Sequence, residues 1–187
     1  MIATLARCVA ARPLLAPLAA FLASGALLAG AWAFQIWGGL APCELCLWQR
    51  WPHYLVLALA LVTATLLRSP GATGTKLRVL AAFIMMYAFD WATGAAIAGF
   101  HVGVEQHWWA GLQACGAGGI DGNLSLDALK AHILAAPVIR CDEVPWSLFG
   151  ISLAGYNFLA SAALALIALA VAFRLFATAL AQETTTR

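Results

Sequence analysis

Leu14 to Trp37 reads LLAPLAAFLASGALLAGAWAFQIW. The run carries no charged side chain and is long enough for a helix to cross a bilayer core, which takes about 20 residues. Working outward, Trp51 to Leu67, Leu77 to Phe100 (with Arg78 and Asp90 as its charged residues) and Leu148 to Phe173 are also predominantly apolar and reach or approach that length. With 64% hydrophobic and 10% charged residues among 187, and a mean hydropathy of +0.89, the chain cannot present an ordinary polar surface to water. Nothing alternates like a barrel strand, and lipid offers no partner for unpaired backbone groups. The sequence predicts an all-α membrane protein, a single domain over 1–187 built as a four-transmembrane-helix bundle with spans near 14–37, 51–67, 77–100 and 148–173.

Arg7 and Arg12 before the first run resemble the start of a signal peptide, but hydrophobic regions of signal peptides run about 7 to 15 residues, so a retained first span is expected. Basic residues set the orientation. Arg7, Arg12, Arg68, Lys76, Arg78, Arg174 and Arg187 fall on one side, and only Arg50, Lys130 and Arg140 on the other. The positive-inside rule then puts both termini in the cytoplasm and the 38–50 and 101–147 loops outside. A net charge of +2 argues against a nucleic-acid partner.

That topology divides the cysteines. Cys43, Cys46, Cys115 and Cys141 occupy the outer loops, where disulfides persist, and Cys8 is a cytoplasmic bystander. Two pairs, Cys43 with Cys46 and Cys115 with Cys141, are the expected arrangement, although four cysteines allow three connectivities. A four-cysteine metal site needs two close pairs, and Cys115 and Cys141 form none. Stabilising disulfides need no neighbouring arginine and normally link distant elements.

Cys43-Glu44-Leu45-Cys46, followed by Arg50, has the makings of a redox dithiol, because a nearby cation or helix N-terminus stabilises the reactive thiolate. If 43–50 is helical, Cys46 and Arg50 are an i, i+4 pair with the guanidinium near the sulfur. Read alone, Arg50 is a snorkelling residue at a span end. Pro52 either opens the second span or kinks a continuous helix. Gly116, Gly118 and Gly119 leave Cys115 on a stretch with no rigidity of its own, within reach of an incoming protein thiol. Leu126, Leu129 and Ile133 recur at helical spacing before Pro137, which predicts a short amphipathic interfacial helix in the second outer loop. It would hold Cys141 near the membrane surface. His101 stands at the outer end of the third span, where it could deliver protons or bond a ligand. Asp90, near mid-span, should face the bundle interior. Seven of the eight tryptophans lie towards the outer side, where interfacial anchoring is the default and walling a planar ligand the alternative.

Together these residues resemble the disulfide bond formation protein B (DsbB) family over nearly the whole chain. The likeness is carried by Pro42-Cys43-Glu44-Leu45-Cys46-Leu47-Trp48-Gln49-Arg50, His101, Cys115, Cys141 and Trp146-Ser147-Leu148-Phe149-Gly150. It implies a bacterial inner-membrane thiol oxidase with periplasmic cysteine loops that passes electrons from a reduced DsbA-like partner to quinone, either ubiquinone or menaquinone. By the same likeness, Cys115 takes the partner into a mixed disulfide, Cys141 attacks Cys43, and Cys46 contacts quinone. Arg50 stabilises quinone and thiolate, with His101 nearby. For the DsbA, DsbB and quinone chain itself the partner sits near about −120 mV, so its reoxidation needs a stronger terminal acceptor. Vitamin K epoxide reductase-like proteins share the chemistry but carry the quinone-side C-x-x-C late, whereas Cys43 and Cys46 come first. A disulfide-stapled membrane scaffold is the non-enzymatic alternative.

Overall fold

The computed structural model describes residues 1–70, 73–112 and 140–185. Its elements are α1 (Ile2–Ala11), α2 (Leu15–Ile36), α3 (Glu44–Trp48), α4 (Arg50–Arg68), α5 (Thr73–Glu105), strands β1 (Ser147–Leu148) and β2 (Ile151–Ser152), and α6 (Leu153–Thr185). Four helices are long and apolar enough to cross a membrane, so the chain is a multi-pass membrane protein built as a helical bundle. Cys115 and the amphipathic helix expected around Leu126 to Ile133 lie outside the described residues.

Proline placement follows from helix hydrogen bonding. Pro17 and Pro52 are each the third residue of their helix, in the turn whose N–H groups have no intrahelical acceptor. Pro52 therefore opens the second span. Because it cannot donate to the Trp48 carbonyl, the backbone ladder breaks at Gln49, and the dithiol sits on the separate turn of α3.

α5 and α6 share the most extensive interface, with α4 packed on α5 and α2 on α4. At Gly94 a Cβ would stand 3.5 Å from the Pro52 ring and 3.7 Å from the Ser161 hydroxyl. Three helices approach at that point because the residue there is small. Val56, Leu80, Ile84, Tyr87, Trp91 and Leu175 fill the core. Buried polar groups in it are paired: Tyr87 with the Thr63 hydroxyl at 2.5 Å, and the Trp91 indole donating to Ser24 at 3.1 Å. Asp90 is buried as expected, with one carboxylate oxygen lacking a partner.

Three boundaries differ from the sequence reading. α5 continues to Glu105, so His101 lies more than a turn inside the helix rather than at its end. The fourth span begins at Leu153, not Leu148. Residues 147–152 instead form a hairpin, Ser147 opposite Ser152 and Leu148 opposite Ile151, whose turn residues Phe149 and Gly150 both have positive φ (51° and 76°). Two-residue hairpins favour that handedness. Finally, α1 was not foreseen; it packs against α6 through Ala6 and Val9 and leaves Cys8 exposed.

Candidate active site

Cys43 caps α3. Its backbone is extended (φ −76°, ψ 172°) and its sulfur accepts the amide N–H of Cys46 at 3.3 Å, which satisfies one of the unpaired donors of a helix start. The cap brings the two sulfurs to 2.8 Å as free thiols. An approach of under about 1 Å would close the pair, since a disulfide bond is about 2.05 Å.

Cys43 is buried, and His101 Nε2 lies 3.6 Å from its sulfur. The hydrogen bond with Cys46 and then burial push the Cys43 thiol well above its ordinary range, with His101 opposing them more weakly. The opposite directions of the two thiols, Cys43 raised and Cys46 lowered by their mutual hydrogen bond, favour holding the shared proton on Cys43.

Cys141 joins this cluster. It is disulfide-bonded, almost fully buried, and packed with Cys43, Leu45 and Val104. The chain leading into β1 thus brings Cys141 to Cys43, a juxtaposition of distant residues that no local spacing reveals. Just outside, Arg140 holds Asp142 through two bonds of 2.9 and 2.6 Å, and this pairing lowers the Asp142 carboxyl to about 2.

Arg50 is buried, but it turns towards α2 rather than bonding a sulfur. Nη1 donates to Gln35 Oε1 at 2.8 Å and Nη2 to the Ala31 carbonyl at 3.4 Å, and the guanidinium lies 4.8 Å from the centre of the Trp32 ring. Nε is buried without a partner. Arg50 and Cys46 nevertheless meet on the wall of one cavity of about 610 Å³, which Cys43 and His101 also line. Leu27, Phe34, Val144, Trp146 and Leu153 make much of the rest apolar. Trp146 packs on Phe34 with ring centres 4.9 Å apart, so one tryptophan walls the cavity, whereas Trp37, Trp51 and Trp108 are exposed in keeping with anchoring.

Several site residues were not singled out from sequence. Gln49 bonds His101 Nδ1 at 2.8 Å, and Asn157 of α6 donates to Gln49 Oε1 at 2.8 Å. Asn157 Oδ1 also meets His53 at 3.1 Å and the Ser161 hydroxyl at 3.2 Å. Glu105 lines the cavity and accepts a hydrogen bond from Ser152. The available signal was the presence of Asn157, Ser161 and His53 inside apolar runs, where polar groups need partners.

The family profile for disulfide bond formation protein DsbB matches residues 13–171. Disulfide bond formation protein B of Methylococcus capsulatus is 35% identical over 71% of this chain and 77% of its own length. The protein of the same name from Azoarcus sp. is 31% identical over 87% and 92%, and disulfide bond formation protein B 2 of Pseudomonas syringae pv. syringae is 33% identical over 80% and 82%. No solved structure gives a significant match. On the profile match and these near full-length relatives, the chain belongs to the disulfide bond formation protein B family.

Proposed function

We propose that this protein is a quinone-dependent thiol oxidase that reoxidises a DsbA-like dithiol protein at the outer face of the bacterial inner membrane. Family membership gives a disulfide oxidoreductase role. The observation carrying the finer reading is the convergence of Cys43, Cys46, Arg50 and His101 on one largely apolar cavity. Its volume of about 610 Å³ falls within the range of small-molecule sites, roughly 300 to 1,000 Å³. The Arg50 side chain on the cavity wall puts a cationic donor group beside a planar head group with carbonyl acceptors. A bound quinone would supply the acceptor for the two electrons and two protons released when the dithiol closes.

The chain's own residues do the rest. The partner's thiolate attacks Cys115 of a Cys115–Cys141 disulfide, forming a mixed disulfide and freeing Cys141. The partner's second thiol resolves that bond and leaves oxidised, while the Cys141 thiolate attacks Cys43 of a closed Cys43–Cys46 pair and expels Cys46 as thiolate; Cys115 then attacks Cys141, restores the Cys115–Cys141 disulfide and expels Cys43, leaving the reduced Cys43–Cys46 dithiol to be closed again by loss of two electrons and two protons. Arg50 keeps positive charge on the wall that Cys46 lines, and the apolar residues exclude water that would screen it. The excess of basic residues in the terminal and 68–78 segments supports cytoplasmic termini and periplasmic cysteine loops.

Mixing the purified protein with a reduced DsbA-like protein and ubiquinone or menaquinone analogues, and following quinone absorbance, tests the reading. Wild type should reduce quinone and Cys46→Ser should not. An inactive wild type, or a Cys46→Ser variant with undiminished activity, would overturn it.

A further inference from the structure

Cys43, Cys46 and His101 hold two sulfurs and a ring nitrogen within 4.8 Å of one another. In reduced form, such a donor set suits a soft divalent cation with one position left open. Closing on zinc would require the sulfurs to part from 2.8 Å to about 3.8 Å, given Zn–S bonds of about 2.3 Å in a tetrahedron. It would also require a lone pair on the imidazole nitrogen facing them, and a ligating histidine normally donates its other N–H to an acceptor.

The hydrogen bonds around His101 run the opposite way. Gln49 Nε2 lies 3.2 Å from the Leu45 carbonyl and 2.8 Å from His101 Nδ1. A carbonyl can only accept, so the NH2 end of Gln49 faces both groups. From the other side, Asn157 Nδ2 donates to Gln49 Oε1, so the Leu45 carbonyl orients Gln49 and Gln49 orients the Asn157 amide, whose Oδ1 accepts from the Ser161 hydroxyl. A donor aimed at Nδ1 means that Nδ1 carries the lone pair. The proton of the neutral ring therefore sits on Nε2, the nitrogen facing Cys43.

We infer that Gln49 is a positioning residue that holds His101 in its Nε2–H tautomer, making the ring a donor to the Cys43 sulfur and denying the reduced dithiol its third ligand for a soft divalent cation. Zinc held by the dithiol would block its oxidation, so the clamp preserves the pair for disulfide chemistry. The inference rests on hydrogen bonds alone, and its test uses no quinone, so neither its failure nor that of the quinone reading decides the other.

The first measurement is 15N spectroscopy of histidine-labelled full-length protein, with His101 assigned by loss of its signals in His101→Ala. The expected result is a protonated Nε2 and an unprotonated Nδ1; the reverse overturns the inference before any clamp variant is made. The second is a titration of Zn2+ alone into reduced protein against a chromophoric chelator. Gln49→Glu places an acceptor at Nδ1. Asn157→Asp turns the Gln49 amide round and reaches the same end from the other side of the network. Either variant should reverse the ring and tighten Zn2+ binding by about 10- to 100-fold, the scale of such supporting contacts, and adding His101→Ala should abolish the gain. If neither variant binds more tightly, or if the gain survives His101→Ala and so reflects added charge, the inference fails. Should Gln49→Glu not fold, Asn157→Asp and the wild-type spectrum still decide.

Discussion

Replacing Arg50 by Met removes the guanidinium and keeps most of the apolar stem. In the native protein this group is held against α2 by Gln35 and the Ala31 carbonyl, above the Trp32 ring, and Arg50 lines the cavity. If the guanidinium acts on a quinone carbonyl, the loss is that of a charge-assisted hydrogen bond, roughly 1.5 to 3 kcal/mol. At tenfold per about 1.4 kcal/mol, kcat/KM for quinone should fall about 10- to 150-fold. The rate of mixed-disulfide formation with a reduced DsbA-like partner should stay within about twofold, because that step uses the second loop.

A fall in activity could also come from damage to the fold. Arg50→Met leaves the half-buried Gln35 oxygen without its donor, a loss of about 1 kcal/mol in stability. Removing both partners of a buried bond is far milder, so adding Gln35→Met should restore much of the thermal stability and none of the quinone activity. Arg50→Lys, with a point charge but no fork, should fall between. The assay is quinone absorbance at saturating reduced partner, with thermal unfolding measured on the same samples. A kcat/KM for quinone within twofold of wild type in Arg50→Met, or activity that returns with stability in the double variant, would refute the role given to Arg50.

Other outcomes follow from the same structure. A Cβ on Gly30 meets nothing within 4 Å, and Gly30 lines the cavity; Gly30→Leu should therefore leave the fold intact, raise the apparent KM for quinone at least tenfold and spare partner exchange, and an unchanged KM would show that ligand does not enter there. Gly150 has φ +76° and open space around it, so Gly150→Ala should lower stability by about 1 to 2 kcal/mol through backbone strain alone; thermal unfolding that does not move would contradict the turn geometry. The raised Cys43 thiol predicts a pH effect in the reduced protein: the Cys46 bond and burial favour the protonated form, so the associated stability is complete below the ordinary thiol value, roughly pH 8.5, and declines as pH rises above it towards the raised value. Alkylation mapped by mass spectrometry should find Cys46 modified well before Cys43 from pH 7 to 9, and equal rates would contradict the assignment of the proton.

The spans, the C-x-x-C dithiol and the family likeness were legible because each is written locally. Long, predominantly apolar runs identify membrane helices whatever they pack against, and Cys43 and Cys46 are joined by a single turn. Arg50 was half legible: its i, i+4 spacing placed it on the wall with Cys46, but Gln35, Ala31 and Trp32 on another helix decide where the guanidinium goes. The burial of Cys141 beside Cys43 depends on the path of a long loop, which spacing does not encode.

The hairpin at 147–152 accounts for the rest. Counted from Leu148, Asn157 would lie about nine residues into the fourth span, some 13 Å along the axis at about 1.5 Å per residue, out of reach of the Gln49 side chain. With the helix starting at Leu153, Asn157 is one turn in, about 6 Å along the axis, level with Gln49 at the break before α4. The same shift acts in reverse on α5, whose extension to Glu105 draws His101 inward to meet them. Phe149-Gly150 hid the boundary because an apolar aromatic at positive φ looks like span residue, where Asn-Gly or Asp-Gly would have signalled a turn. A displacement of five residues in one helix start thus separates an isolated intramembrane asparagine from the group that holds the Gln49 amide, and through it the His101 ring, against the dithiol.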